Sequence, residues 1–435
     1  MNPTRQAGLN VMVVSFGGPG DVLPLAAIGA ALARRGHRVT LISNPHFESD
    51  ARRMGLEFEG FGSAGRLASA MHGGGHERSS GGWVRRGLDR WRRRSRGPLG
   101  SMRWLYGYIE GSNIAGQTVL VARGNAYGAR LAQERLGIPL ATVHLQPAAI
   151  HSEYDAPGLP VPGGSGRLPR LCRRLAWKAI DGWADHLLAP EMNEFRRELG
   201  LSPARRISSA WSHSPELVLG MFPDWFARPQ PDWPSATRLV GFPLFDGSGL
   251  RDTPAELEPF LAGGTPPVVF TTGSFHPNGG PFFQTALGIC RRLGVRGVLL
   301  CPAAGCVPAN LPQGVLHLPY APLSAVLGKA AALVHHGGIG TTGLALAAGV
   351  PQLVAPFNDD QFDNARRVER LGAGVRLNRP GFHVDEAARM LRALLHSSGR
   401  TGACRALAAR MQGADACVEA ACHIERLVPS GHGWQ

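Results

Sequence analysis

The chain has 435 residues, 44% of them hydrophobic, with 58 glycines, 34 prolines and a formal net charge of +14. That length exceeds one ordinary core and predicts two domains. The glycines and prolines follow no period, which excludes a collagen-like or repeat array, and no run reaches the roughly 18 apolar residues of a spanning helix.

The seven cysteines contain no C-x-x-C pair, so neither a disulfide framework nor a zinc site is supported. The reading is a soluble, cytoplasmic protein with reduced thiols. Its positive balance favours an anionic substrate or an anionic membrane surface, and no nucleic-acid recognition module accompanies it.

In chain order, "LNVMVVSF" ends at the turn "GGPGD" and gives way to "VLPLAAIGAALARRGH", whose apolar spacing is helical, and then to "RVTLISN". Strand, turn, helix and strand make a β-α-β unit of a parallel sheet. The stretch from Arg85 to Arg96, with Trp83 and Trp91 interleaved, reads either as a solvated helix face or as a helix lying on a membrane surface. "PLATVHL" and "ELVLGMF" read as later strands, and "LCRRLAWKAIDGWADHLLAPEMNEFRREL" as a long covering helix.

The Gly-, Pro- and Asp-rich "GFPLFDGSGLRDTPAELEP" marks a boundary, after which the rhythm restarts with "PPVVFTTGS", "VRGVLLCP", "VLHLPY", "AALVHH" and "PQLVAP", with helices between most of them. The expected division is an N-terminal domain at 1–242, a linker at 243–256, a C-terminal domain at 257–412, and a helix and tail at 413–435 that pack back on the first domain. The fold class is α/β, with two doubly wound, Rossmann-like domains facing across a cleft. In such sheets ligands bind at the carboxyl ends of the strands.

"HHGGIGTTG", His335 to Gly343, contains a literal G-x-G-x-x-G, but its context is wrong for a dinucleotide. That fingerprint belongs to the first strand and helix of its domain, with an acid ending the next strand. Here it follows the fourth strand of the second half, and Asp359 and Asp360 lie in a loop that starts another helix. No P-loop pattern occurs either. What remains is a glycine turn at a helix N-terminus beside His336, an arrangement suited to a diphosphate. His335 reads as a packing or hydrogen-bonding neighbour.

The segment "HHGGIGTTGLALAAGVPQLVAPFNDDQFDNARRVERLGAG" resembles the donor-site signature of family 1 glycosyltransferases, the GT-B enzymes that use nucleotide-diphosphate sugars. The resemblance implies that His336 and the backbone of Gly338, Gly340 and Thr341 hold the diphosphate, and that Asp360 and Gln361 bind sugar hydroxyls. "FTTGS" is similar to a second phosphate-side turn, with Gly273 and Ser274 near the phosphates. "PYAPLSAVL" resembles the base-binding segment, with Tyr320 stacking on the base. "GGPGDVLPL" resembles the acceptor-side turn of bacterial and sterol-type members, which makes Asp21 the general base with Gly20 beside it; His144 and His151 follow a strand in the same half and are expected to line the acceptor pocket. An inverting transfer needs such a base to take the acceptor hydroxyl's proton as it attacks the anomeric carbon. The implied co-substrate is a dTDP- or UDP-sugar, with no cofactor and no metal.

A narrower resemblance, carried by "WSHSPELVLGMFPDWFARPQPDWP", "LVGFPLFDG" and "YAPLSAVL", is to the rhamnosyltransferases of mono-rhamnolipid synthesis. It implies transfer of rhamnose from dTDP-rhamnose to a hydrophobic hydroxyl acceptor, a hydroxyalkanoyloxy-alkanoic acid, with peripheral association at the inner face of the membrane. The alternatives are a UDP-glucose-dependent enzyme for a sterol or polyphenol, and an inactive GT-B binding partner. Asp21 also reads as a helix N-cap, Asp360 as a cap of the next helix, and Tyr320 as an ordinary half-buried aromatic.

Overall fold

A computed structural model describes residues 8–62, 99–155, 169–273, 279–302, 305–308, 310–357, 359–377 and 382–428. Ser274 and the stretch from Arg85 to Arg96 lie outside the described residues.

Two parallel sheets organise the chain. The first contains β1 (Asn10–Val14), β2 (Arg38–Ser43), β3 (Glu57–Gly60), β4 (Thr118–Arg123), β5 (Leu140–His144), β6 (Leu217–Gly220) and β7 (Thr237–Leu239), in the order β3-β2-β1-β4-β5-β6-β7. The second contains β8 (Val268–Thr271), β9 (Gly297–Leu300), β10 (Val315–Leu318), β11 (Ala332–His335), β12 (Gln352–Val354) and β13 (Gly374–Arg376), in the order β10-β9-β8-β11-β12-β13. Their central strands read as unbroken apolar runs because helices cover both faces; all five residues of β1 are buried. Each sheet is doubly wound, and strand order reverses once in each, between β1 and β4 and between β8 and β11.

Each sheet carries one apolar cluster per face. A further cluster joins the halves, with Ile150, Phe222, Phe226 and Phe242 packed with Leu346, Val354, Ala365 and Val368. The helix Ala416–Glu425 leaves the second half and returns to the first. Its Ala416, Ala420, Ala421 and Ile424 pack in the cluster of Val22, Leu25 and Ile28. Glu425 receives Arg35 Nε at 2.7 Å and lies 2.9 Å from His37 Nε2. Among the described residues no helix is long and apolar enough to cross a membrane.

Candidate active site

In both sheets the reversal of strand order opens a crevice at the carboxyl ends, and in both a side chain bridges it. In the second sheet, β8 runs out through Thr271 to Gly273, which sits at φ 76°, while β11 ends at His335 and places His336 beside it. A Cβ on Gly273 would lie 2.5 Å from His336 Cε1, and one on Gly338 would also overlap the same ring. Only glycine at both positions leaves room for the imidazole between the two turns. Gly338 is the N-cap of the helix Ile339–Ala347, and Gly340 and Thr341 fall in its first turn. A Cβ on Gly340 would meet nothing within 4 Å, so the open donors of this helix end face accessible space.

His335 is fully buried and plays the supporting part. Its Nδ1 accepts from Gly337 N at 3.1 Å, which leaves Nε2–H to donate to Gln352 Oε1 at 3.0 Å. Burial pushes this imidazole down to about 4, so it is neutral. The helix Asp359–Arg370 is tied to the same turn. Asn364 Nδ2 donates to Gly337 O at 2.9 Å, and Gln361 Oε1 accepts from Phe357 N at 2.9 Å. Gln361 and the partly exposed Asp360 are thereby carried to the rim of the His336 turn.

Tyr320 stands at another strand end of the same sheet. It follows β10, three strands from β11, and its hydroxyl donates to Asp246 O at 3.0 Å while the Arg251 guanidinium lies 5.1 Å from its ring centroid. It anchors the segment that joins the halves.

In the first sheet, Asp21 stands in the first turn of the helix Pro19–Arg34, directly after β1. Gly18, not Asp21, is the N-cap; Asp21 stands at the third helical position, where its Oδ2 accepts from Gly18 N at 3.1 Å, so the N-cap reading of Asp21 is corrected to the reciprocal half of a capping box. Its Oδ1 accepts from the Nη1 of Arg123, the last residue of β4, across the point where strand order reverses. Gly20 beside it is exposed. His144 ends β5, and its ring lies edge-on to His213 at 4.9 Å between centroids, while His151 stacks on Trp177 at 3.9 Å. Burial holds His144 well below the usual imidazole range and His151 and His213 at about 4. The buried His144 Nε2, His151 Nδ1 and both ring nitrogens of His213 have no hydrogen-bond partner.

The two halves are tied together where the loop leaving β5 meets the helix that follows β12. Asp155 Oδ2 pairs with Arg367 Nη2 at 3.0 Å, and Arg367 Nε pairs with Asp363 Oδ2 at 2.7 Å within its own helix. Arg367 Nη1 also donates to Phe226 O at 3.2 Å, so a fully buried guanidinium holds the donor-side helix to two points of the first half. No group of three or more His, Cys, Asp or Glu side chains among the described residues is placed to hold a metal ion.

Residues 301–427 match the family described as erythromycin biosynthesis protein CIII-like, C-terminal domain. The chain is 29% identical to the O-mycaminosyltylonolide 6-deoxyallosyltransferase of Streptomyces fradiae, covering 90% of this chain and 89% of that one. It is 26% identical to the sterol 3-beta-glucosyltransferase of Candida albicans over 85% of this chain and 24% of that one. Among solved structures, the glycosyltransferase VinC in complex with dTDP superposes with a TM-score of 0.68 at 19% identity, covering 97% of this chain and 100% of that one. The architecture is thus GT-B. The chain is an enzyme, a glycosyltransferase that depends on a nucleotide sugar.

The sequence reading missed Arg123, His213, Asn364 and the Asp155–Arg367 pair. Arg123 carried a usable signal: "TVLVAR" is an apolar run closed by a cation and a glycine turn, the pattern of a strand delivering a polar group to a cleft. The other three depend on contacts between distant segments.

Proposed function

We propose that the enzyme moves a deoxyhexose, rhamnose from dTDP-rhamnose, onto the hydroxyl of a lipid-like acceptor of the hydroxyalkanoyloxy-alkanoic acid type, with inversion and without a metal. The observation that carries this reading is that the point where strand order reverses is bridged in one sheet by Asp21 and in the other by His336. In this reading the diphosphate lies on the N-terminus of the helix Ile339–Ala347 with His336 as a directed donor, so that helix dipole and imidazole do what a cation does elsewhere. Asp360 and Gln361 hold sugar hydroxyls at the rim. The acceptor oxygen bonds to the anomeric carbon, the bond to the diphosphate oxygen breaks, and Asp21 takes the hydroxyl proton. Tyr320 stacks on the base of the donor, with its hydroxyl held by Asp246 O. Delivery of an amphiphilic acceptor places the enzyme peripherally at a membrane.

The deoxyallosyltransferase name of the Streptomyces relative supports a deoxysugar, and the sterol glucosyltransferase relative supports a second reading, UDP-glucose with a flat apolar aglycone. Incubating the pure protein with dTDP-rhamnose and with UDP-glucose, each with 3-(3-hydroxydecanoyloxy)decanoic acid or a sterol, decides between them by product mass. Transfer from dTDP-rhamnose to the acid is the expected result. Glucosylation of the sterol alone would replace it with the second reading.

A further inference from the structure

The base proposed above is not idle in this structure. Both oxygens of Asp21 are occupied, one by the helix cap and one by Arg123, and Asp21 is the only carboxylate among the described residues that pairs with Arg123. The guanidinium is largely shielded, with 17% of its side chain exposed, whereas 39% of the Asp21 side chain is exposed. With Oδ2 on Gly18 N and Oδ1 turned to the guanidinium, neither oxygen is left open to an acceptor hydroxyl, so proton transfer to Asp21 asks for something to take the arginine's place.

The surroundings of Arg123 are built for that. The next residue, Gly124, sits so close to β5 that a Cβ there would lie 3.1 Å from His144 Cε1. His144 and His213 are 7% and 6% exposed, and His144 Nε2 and both ring nitrogens of His213 are buried without a partner. Asp181, whose charge acts on His151, is engaged by Ser209 Oγ at 2.7 Å and by Arg206 at 3.5 Å. A fixed guanidinium beside neutral imidazoles that still have a donor to give is a receptor for an anion with in-plane oxygens, a carboxylate above all. Unpaired buried nitrogens otherwise carry a desolvation cost that only a bound polar group or water removes.

We propose that Arg123 is the specificity-determining residue for an acidic acceptor: the acceptor's carboxylate takes the guanidinium from Asp21, with His144 and His213 lining the same pocket, and so releases Asp21 to receive the hydroxyl proton. The exchange moves one ion pair and breaks no covalent bond. It couples recognition to activation, because an acceptor without the acid leaves the base engaged. This rests on the glycosyl-transfer reading for its catalytic half and on the pocket alone for its binding half.

The two halves are tested separately. Calorimetry with 3-(3-hydroxydecanoyloxy)decanoic acid and with its methyl ester needs no transfer reaction. Wild-type enzyme is expected to bind the acid at least about tenfold more tightly than the ester, and Arg123→Gln to abolish the difference, the scale of one charge-assisted contact. Arg123→Lys should restore part of it. In the transfer assay, Arg123→Gln should raise KM for the acid about tenfold or more while kcat/KM for the ester stays level or rises, since Asp21 is then unpaired. Thermal protection by dTDP must be unchanged in the variant, which shows an intact second half. Equal binding of acid and ester by the wild type, or of neither, overturns the proposal. So does an Arg123→Gln enzyme whose kcat falls equally for both acceptors with KM untouched, which makes Arg123 a positioning residue for Asp21 only. Acid-selective binding with no transfer from any nucleotide sugar would overturn the function proposed above and leave the pocket assignment standing.

Discussion

The ring of His336 occupies the space that a methyl group on Gly273 would need, with Cε1 only 2.5 Å from the position of that Cβ. Gly273 also sits at φ 76°, a conformation that strains any other residue. Gly273→Ala should therefore displace His336 and weaken dTDP binding about tenfold or more. His336→Ala should do the same directly, by the 1.5–3 kcal/mol of a charge-assisted contact to phosphate. In the His336→Ala background, Gly273→Ala should add little, because the two act through one ring. Calorimetry on the four-member cycle checks this, and full additivity would mean that the glycine acts elsewhere.

Asp21→Asn keeps an oxygen for the cap to Gly18 while removing the proton acceptor. Turnover should fall about 10²-fold or more with dTDP affinity nearly unchanged. Equal losses in both would reduce Asp21 to a structural cap.

Metal should be dispensable. Dialysis against a chelator should leave transfer intact, and activity lost on chelation and restored by magnesium would contradict the assignment of the leaving-group role to His336 and the helix terminus.

Arg367 is fully buried against Asp363, with Asp155 as its partner from the other half. Arg367→Met leaves Asp363 with Arg366 alone, at 2.8 Å, and removes the buried charge-assisted bonds of Arg367, which should cost about 1.5–3 kcal/mol. Urea unfolding measures it, and a loss below about 1 kcal/mol would show that the helix Asp359–Arg370 does not depend on this clamp.

Acid should destabilise the fold through its buried histidines. His335 and His213 are held at about 4 by burial, against an ordinary value of 6.5, so the unfolded chain binds their protons first as pH falls. Stability is then greatest above about 6.5, declines between 6.5 and 4, and stops responding to these groups below 4. Between pH 7 and pH 5 each should account for about 2 kcal/mol. Comparing wild type with His213→Gln by urea unfolding at both pH values should show a shallower acid loss in the variant.

What the sequence made legible follows from where information is local. The second half was readable almost strand by strand, because each apolar run ends at a glycine and feeds a helix, and β11 with its His-Gly turn is the fourth strand as expected. In the first half β4, "TVLVAR", went unread. With it went Arg123, the residue that bridges to Asp21. The donor turn is a single contiguous segment and was visible as such. Its supports, Asn364 on Gly337 and Gly273 under His336, join segments 27 and 63 positions apart and emerge only once the sheet brings β8 beside β11. The same holds for Arg367, whose partner Asp155 is 212 positions away.

The return of the helix Ala416–Glu425 to the first half has a consequence for biosynthesis. Arg35 and its partner Glu425 are 390 positions apart, so the alanine-rich face of the helix Pro19–Arg34 waits uncovered while nearly the whole remaining chain is made. Domains generally fold in order as they leave the ribosome, but here the half translated first is finished last. A nascent chain stalled before residue 416 leaves that apolar strip without its cover.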